Sequence, residues 1–174
     1  MKASQSQTIA IRKAGRGDIP ALDAIAAAMR HAKELNYFER NLEQQEAGSR
    51  EIFIAAKDGA DVAYCILNWE PKYGLFKAHG IPETQDLNVI PSCRKKGVAT
   101  ALIKFCEDLA LKKGKTLMGI SVGLDPGYGA AQILYVKLGY IPDGLGITYD
   151  RKTVGYGEFK PVDDNLCLMM TKSL

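Results

Sequence analysis

The sequence has few of the residues from which metal sites and disulfide frameworks are built. Its 174 residues include four cysteines and two histidines. The cysteines form no Cys-x-x-Cys pair and the histidines are isolated, so neither a zinc site nor a disulfide framework is predicted. Unpaired cysteines are typical of a reducing compartment, and we therefore expect a cytoplasmic protein whose chemistry needs no metal.

Long apolar runs and a strong excess of one charge are also missing. Hydrophobic residues make up 47% of the chain, yet no uninterrupted run approaches the roughly 18 residues of a membrane helix. The formal net charge is +3, too small to indicate a nucleic-acid surface. We expect a protein that binds neither membrane nor nucleic acid, and a small, localised anion is the better candidate partner.

Length and composition predict one domain, because a chain of this size can bury a substantial core and contains no linker or internal repeat. The opening MKASQSQ does not have the pattern of a secretory signal. We therefore predict a flexible tail at residues 1–7 and a single domain at residues 8–174. Edge strands near the C terminus provide a way to form a homodimer.

Local patterns predict the order β-α-β-β-β-α-β-α-β. The first strand is TIAIRKAG, and the alanine-rich segment GDIPALDAIAAAMRHAKELNYF predicts one helix with Asp18 as its N-cap. REIFIAAKDGADVAYCILNW predicts a hairpin that turns at Asp58 and Gly59. EPKYGLFKAHGIPETQ predicts a loop, and QDLNVI predicts a short strand that Pro91 ends.

The second half continues with an amphipathic helix from Val98 that closes at Gly114. TLMGISVG predicts a strand, GYGAAQILYVKLG a helix that stops at Gly139, and LCLMMTKSL the last strand. One more strand is expected within residues 140–165. This order indicates an α/β (α+β) fold, with helices packed on a mixed sheet.

The segment VIPSCRKKGVATALIKF places three cations directly before Gly97 and a helix. The first amides of a helix have no intrahelical partner, and its dipole makes that end positive, so anions bind there. Glycine admits a close backbone approach that a side chain would block. The turn therefore predicts a phosphate site, although the cations alone fit a solvated loop equally well.

Two other phosphate motifs fit less well. GKT at residues 114–116 resembles the end of a P-loop, but Leu109 occupies the place of its first glycine and a strand follows. GYGAAQ at residues 127–132 partly matches a dinucleotide fingerprint but ends in Gln132. The second match leaves an NAD-dependent oxidoreductase as a minor alternative.

The cationic turn resembles a motif of the GNAT superfamily of acetyl-CoA-dependent N-acetyltransferases, Arg/Gln-x-x-Gly-x-Gly/Ala. A second motif of that family, Ala-x-x-x-Tyr-x-x-x-Gly-aromatic, is matched at residues 131–140, and the resemblance covers nearly the whole chain. It implies a mixed, mostly antiparallel sheet of about six to seven strands flanked by helices and splayed between the fourth and fifth strands.

The resemblance also implies which residues bind coenzyme A. Strand residues would pair with its pantetheine arm, and the turn would hold its pyrophosphate through backbone amides. Tyr128 stands where many members carry Asn. The implied cofactor-binding residues are Leu87, Asn88, Val89, Arg94, Lys95, Lys96, Gly97, Val98, Ala99, Thr100, Tyr128 and Ala131.

Acetyl transfer to an amine needs a base for the amine and a proton for the departing thiolate. By the resemblance, Tyr135 is the candidate acid, although an aromatic at helical spacing is more often a core residue. Asp86 is the candidate base, and a strand-end carboxylate that is exposed to solvent or binds a neighbouring backbone amide is an equally good interpretation. Glu83 and His79 are alternative bases.

The resemblance implies acetyl transfer from acetyl-CoA to an amine that attacks the thioester directly, with a small molecule or peptide as acceptor. The alternative is a non-catalytic acyl-CoA sensor of the same fold. Five aromatic residues are candidates for an acceptor pocket, although most fit ordinary core positions better. They are Tyr37, Phe38, Trp69, Tyr73 and Phe76.

Overall fold

The computed structural model describes residues 8–29 and 33–174, so the predicted tail at residues 1–7 lies outside the described residues. The described strands are Ile9–Lys13 (β1), Arg50–Lys57 (β2), Ala60–Asn68 (β3), Glu83–Val89 (β4), Leu117–Gly123 (β5), Ile141–Tyr149 (β6), Lys152–Thr153 (β7) and Leu166–Ser173 (β8). The described α-helices are Ile19–Ala27 (α1), Tyr37–Glu46 (α2), Gly74–His79 (α3), Val98–Lys112 (α4) and Gly129–Lys137 (α5).

The strands form a mixed sheet in the order β1-β2-β3-β4-β5-β8-β6-β7. Antiparallel pairs dominate, as between β1 and β2 and between β5 and β8. The parallel register of β4 and β5 joins only Glu83 to Gly119 and Thr84 to Ile120, and the two strands splay beyond it. The predicted fold class is confirmed, with eight strands in place of six to seven because residues 140–165 contribute both β6 and the short β7.

The single helix predicted from GDIPALDAIAAAMRHAKELNYF is wrong in extent. α1 ends at Ala27, and a separate helix, α2, begins at Tyr37 after Asn36, which has a left-handed φ of 57°. A left-handed residue cannot continue a right-handed helix, and Asn tolerates that conformation better than most residues. Asp18 does occupy the N-cap position of α1, but its carboxylate accepts a hydrogen bond from the Gly15 N–H at 2.8 Å.

The segment EPKYGLFKAHGIPETQ, predicted as a loop, contains α3 and the first residues of β4. α3 has only six residues and ends at Gly80, which has a φ of 61°. Tertiary packing holds it: Phe76 is fully buried, and a Cβ on Gly119 of β5 would lie 2.4 Å from the Phe76 ring. A helix this short has too little periodicity to be recognised from sequence.

The described chain divides into two compact units, each with its own core. The first unit contains the described residues up to Leu67 together with Asp86–Phe105, and the second contains Asn68–Gln85 with Cys106–Leu174. The core of the first unit includes Leu22, Phe38, Leu42, Ile52, Ile54, Tyr64 and Ile66. The core of the second unit includes Tyr73, Phe76, Ile81 and Met169. A single domain at residues 8–174 stays a prediction. Among the described helices, none is both long and apolar enough to cross a membrane.

Candidate active site

The cationic turn lies in the first unit, between β4 and α4. A short 3-10 turn, Pro91–Cys93, follows β4. Arg94 then donates from Nε to the carbonyl oxygen of Val89 at 3.0 Å, which ties the turn to the end of the strand. Lys95 has a φ of 59° and Gly97 a φ of 81°, so two left-handed residues shape the turn. The hydrogen bond from Arg94 to Val89, which holds the turn against the end of β4, was not predicted from the sequence.

The start of α4 provides backbone amides that have no intrahelical partner. The amide of Ala101 donates to the carbonyl of Gly97 at 2.9 Å, so the amides from Gly97 to Thr100 precede this first helical hydrogen bond. Apart from its chain neighbours, no atom of the described residues would lie within 4 Å of a Cβ on Gly97. The side chain of Val98 is buried whereas Lys95 and Lys96 are exposed, so Val98 has only its backbone to offer a ligand. Backbone amides in such an arrangement can bind an anion, and the coenzyme A contacts of this turn stay a prediction.

β4 is distorted at Asp86. This residue has a left-handed φ of 47° in the middle of the strand. The three residues that follow it in the strand are half-buried: Leu87, Asn88 and Val89. A left-handed conformation costs a non-glycine residue roughly 1 to 2 kcal/mol, although Asp bears it better than most. Such conformations persist only where the surroundings impose them, and they are concentrated at functional sites.

Four donors converge on the Asp86 carboxylate, all within the first unit. Oδ1 accepts from the ammonium of Lys33 at 2.6 Å and from Asn88 Nδ2 at 2.7 Å. Oδ2 accepts from the hydroxyls of Tyr37 at 2.8 Å and Tyr64 at 3.0 Å. Because an ionised carboxylate has about four acceptor positions, this one is saturated. Asp86 is thus the centre of a polar network, and not the solvent-exposed strand end that the alternative interpretation supposed.

Burial and the charge of Asp86 raise the pKa of the Tyr37 and Tyr64 phenols well above the usual value, with burial as the larger cause. Both phenols therefore remain neutral donors at physiological pH. Tyr64 also accepts a hydrogen bond from Asn88 Nδ2 at 3.0 Å. Both tyrosine hydroxyls therefore donate their protons to the Asp86 carboxylate, and Asn88 donates to Tyr64, so the hydrogen bonds of the network run toward the carboxylate.

In the second unit, Tyr135 is buried on α5, with 6% of its surface exposed. Its ring centroid lies 6.2 Å from that of Tyr140. The Tyr140 amide donates to the Tyr135 carbonyl at 3.0 Å, and Gly139 has a φ of 92°, so the predicted glycine stop is confirmed. The catalytic role of Tyr135 stays a prediction.

Tyr128 and Ala131 mark the start of α5. The Tyr128 ring lies over the end of β5, where a Cβ on Gly123 would be 2.4 Å away, and its hydroxyl donates to Asp164 at 2.8 Å. Ala131 is half-buried. Gln132, the last residue of GYGAAQ, donates to the carbonyl of Gly123 at 2.8 Å. Cofactor contacts at Tyr128 and Ala131 stay predictions.

The two alternative bases lie in contrasting surroundings. Glu83 is fully buried, forms an ion pair with Arg151 and accepts from Gln85 at 2.7 Å. His79 is exposed at the end of α3. Glu83 has no exposed surface that an acceptor amine could reach, so it is the weaker of the two.

Of the five aromatic candidates for an acceptor pocket, Tyr37 is bonded to a predicted catalytic residue. Phe38 and Phe76 belong to the two cores. Tyr73 donates to Asp143 at 2.6 Å, and the Trp69 ring lies 4.0 Å from the ammonium of Lys113. Sequence reasoning missed Lys33 and Tyr64, which lie 53 and 22 residues from Asp86 along the chain and carry no local signal.

Comparisons with known proteins agree with this architecture. The family model described as an acetyltransferase (GNAT) domain matches residues 48–142, more than half of the chain. No curated protein matches the chain significantly. Several solved structures each match 95% of the chain at under 25% identity, which shows the fold alone.

Three of them illustrate the range. A ribosomal-protein-alanine N-acetyltransferase from Brucella melitensis is 20% identical, with a TM-score of 0.67 and 99% of that chain covered. The yncA protein from Salmonella typhimurium, solved with its cofactor acetyl-CoA, is 18% identical, with a TM-score of 0.67 and 94% covered. A spermidine N-acetyltransferase chimera from Vibrio cholerae and hSSAT is 16% identical, with a TM-score of 0.67 and 95% covered.

Proposed function

Because this chain belongs to the GNAT acetyltransferase family, we propose that it is an N-acetyltransferase that moves the acetyl group of acetyl-CoA to an amine of a small molecule or peptide. The observation that carries the proposal is the strand–turn–helix of residues 86–100. It joins an open cradle of amides to a strand whose Asp86 carries an organised carboxylate. Acetyl-CoA is the acetyl donor.

The turn and the strand divide the recognition of the donor. The amides from Gly97 to Thr100 bind the pyrophosphate at the positive end of α4, since each has an N–H to offer and the dipole favours the anion. Lys95 and Lys96 lie exposed beside this cradle and add long-range attraction, which salt screens. The backbone of Leu87, Asn88 and Val89 lies along the pantetheine arm.

The reaction forms a nitrogen–carbon bond and breaks a carbon–sulfur bond. The amine loses a proton and the departing thiolate gains one, so no external oxidant or metal is required. We assign the first proton to Asp86, directly or through a water molecule, and the second to the hydroxyl of Tyr135. Since four donors fill the Asp86 carboxylate, one of them must leave before it accepts a proton from the acceptor.

The function is tested by ligand-dependent melting followed by a thiol-release assay with a panel of amines. We expect acetyl-CoA to raise the melting temperature and at least one amine to release free coenzyme A. Stabilisation without thiol release from any amine would favour the acyl-CoA sensor. Stabilisation by NAD in place of acetyl-CoA would favour the oxidoreductase suggested by GYGAAQ and would overturn the proposal.

A further inference from the structure

Lys33 places an alkylammonium group on the Asp86 carboxylate. Its Nζ lies 2.6 Å from Asp86 Oδ1 and 5.0 Å from the centroid of the Tyr37 ring. The two charged side chains are only 25% and 16% exposed. The ammonium thus has a carboxylate oxygen on one side and an aromatic face on another, in a site that is largely removed from water.

These contacts are the ones with which proteins recognise a primary alkylammonium ligand. A charge-assisted hydrogen bond to a carboxylate is about twice as strong as a neutral one, and an aromatic face attracts the cation further when water is excluded. Surface ion pairs lack both advantages and contribute little. The Lys33 ammonium therefore lies against Asp86 as the ammonium of a bound ligand would, although both residues belong to the same chain.

The rest of the network fixes the carboxylate independently of Lys33. Tyr37 and Tyr64 hold Oδ2, and Asn88 holds Oδ1 while it also bonds Tyr64. The left-handed backbone of Asp86 further sets the direction of its side chain. If Lys33 leaves, three donors still orient the carboxylate, and the vacated position accepts another ammonium.

We infer that Asp86 and the face of Tyr37 form the subsite for the ammonium group of the acceptor, and that Lys33 occupies this subsite until an acceptor displaces it. The acceptor is then a primary alkylamine, such as a lysine side chain or the end of a polyamine. Lys33 competes with it, because both present the same butylammonium-like group. That the ammonium ligand is the acetyl acceptor rests on the proposed function.

Chemical rescue tests the subsite without any acetyl transfer. Lys33→Ala removes the internal ammonium, and n-butylammonium chloride supplies it from solution. We expect the substitution to lower the melting temperature by about 5 °C, and n-butylammonium to recover most of that loss. The wild type should respond much less because Lys33 already fills the subsite. An equimolar addition of n-butanol, which has no charge, should recover nothing.

Two further variants serve as controls. Lys33→Ala combined with Asp86→Asn should not respond to n-butylammonium, since the carboxylate is gone. Lys13→Ala breaks a different lysine–carboxylate pair of the first unit, with Glu51 at 2.8 Å, in which the lysine side chain is 51% exposed. It should also not respond. Equal recovery of Lys13→Ala and Lys33→Ala, or recovery that survives Asp86→Asn, would overturn the inference.

Thiol release with n-butylamine then separates the subsite from the proposed function. We expect Lys33→Ala to have a KM for n-butylamine about tenfold below that of the wild type, equivalent to about 1.4 kcal/mol. Rescue of melting without thiol release from any amine would keep the ammonium subsite and refute acetyl transfer. Thiol release from the amine panel without rescue would keep acetyl transfer and refute the subsite.

If Lys33→Ala does not fold, Lys33→Gln provides the second variant. Its amide retains a neutral donor for Asp86 but competes less well than an ammonium, so the KM for n-butylamine should still fall below that of the wild type. An unchanged or higher KM in Lys33→Gln would overturn the displacement of Lys33 by the acceptor.

Discussion

At the scale of single residues, the two proposed proton carriers lie in different environments. The Asp86 carboxylate is surrounded by donors, one of which is a charged lysine. Tyr135 is buried on α5 beside another tyrosine. The first arrangement holds the carboxylate in a fixed position, whereas the second keeps a phenol away from bulk water. These environments suit a proton acceptor that engages only when the acceptor arrives, and a proton donor that serves the leaving group.

Removal of the Tyr135 hydroxyl tests its proposed role. We expect Tyr135→Phe to lower kcat by about a hundredfold, the usual contribution of a general acid. The Kd of acetyl-CoA should change little, because the ring and its packing remain. The measurement is steady-state kinetics together with calorimetric binding of acetyl-CoA. Unchanged turnover over the whole pH range would remove Tyr135 from the mechanism.

Tyr140→Phe is the matched control for Tyr135→Phe. Tyr140 is buried beside Tyr135 in the same unit, and its hydroxyl donates to Glu107 at 2.9 Å. Loss of that hydrogen bond to a carboxylate should cost about 1.5 to 3 kcal/mol of stability and leave kcat near that of the wild type. An equal fall of kcat in both variants would indicate that Tyr135 contributes through packing.

Asp86 could be selected from the sequence as a candidate base, but its surroundings could not be predicted. The residue lies directly before the strand residues that the resemblance assigns to the pantetheine arm, and that local signal was enough to select it as a candidate. Its left-handed φ and its bonds to Lys33 and Tyr64 depend on contacts 53 and 22 residues apart. No periodicity or motif encodes such pairs, because they follow from how the elements pack.

At the scale of elements, the strand–turn–helix of residues 86–100 was predictable because each step has a local cause. Pro91 ends the strand, Gly97 permits the turn and the apolar spacing from Val98 defines α4. α2 and α3 were not predictable by the same means. α2 begins after a left-handed Asn36, and α3 is held by the packing of Phe76.

In the turn before α4, we expect the backbone around Gly97 to contribute more to coenzyme A binding than the lysine side chains do. Gly97→Val should weaken coenzyme A binding by at least about tenfold, because φ is 81° there and a branched side chain would fill the space over the amides. Lys95→Ala should weaken it only about twofold, since Lys95 is exposed and its charge is screened. The measurement is the Kd of coenzyme A by calorimetry, and the reverse order would contradict the amide cradle.

Gly59→Val separates strain from lost ligand space in that experiment. Gly59 has a φ of 84° in the β2–β3 turn, and a Cβ there would also lie more than 4 Å from the part of the chain that the structure describes, its chain neighbours aside. Both glycine variants should lose a similar amount of stability, about 1 to 2 kcal/mol. Gly59→Val should retain the wild-type Kd for coenzyme A, so that only Gly97 couples the turn to binding. A matching loss of affinity in Gly59→Val would mean that strain alone explains the effect.

At the scale of the whole molecule, buried and half-buried tyrosines link stability to alkaline pH. Burial, and then a nearby carboxylate, raises the pKa of Tyr37, Tyr64, Tyr73, Tyr128 and Tyr140. In the unfolded chain, a phenol titrates near pH 10. Above about pH 10 the unfolded state therefore binds fewer protons than the folded state, and stability falls as pH rises. Below that pH the contribution of these phenols is fully present.

The expected slope of this alkaline loss follows from the number of phenols. Each contributes up to about 1.4 kcal/mol per pH unit, so the five together give up to about 7 kcal/mol per pH unit once the unfolded phenols have ionised. The measurement is urea unfolding from pH 8 to about pH 11.5, with tyrosinate absorbance recorded in parallel. Tyr140→Phe should make the slope shallower by about a fifth, and Tyr156→Phe, at a fully exposed position, is its control. Tyrosinate absorbance from all phenols before any unfolding would contradict this linkage, since the buried hydroxyls ionise only when the carboxylates beside them have separated.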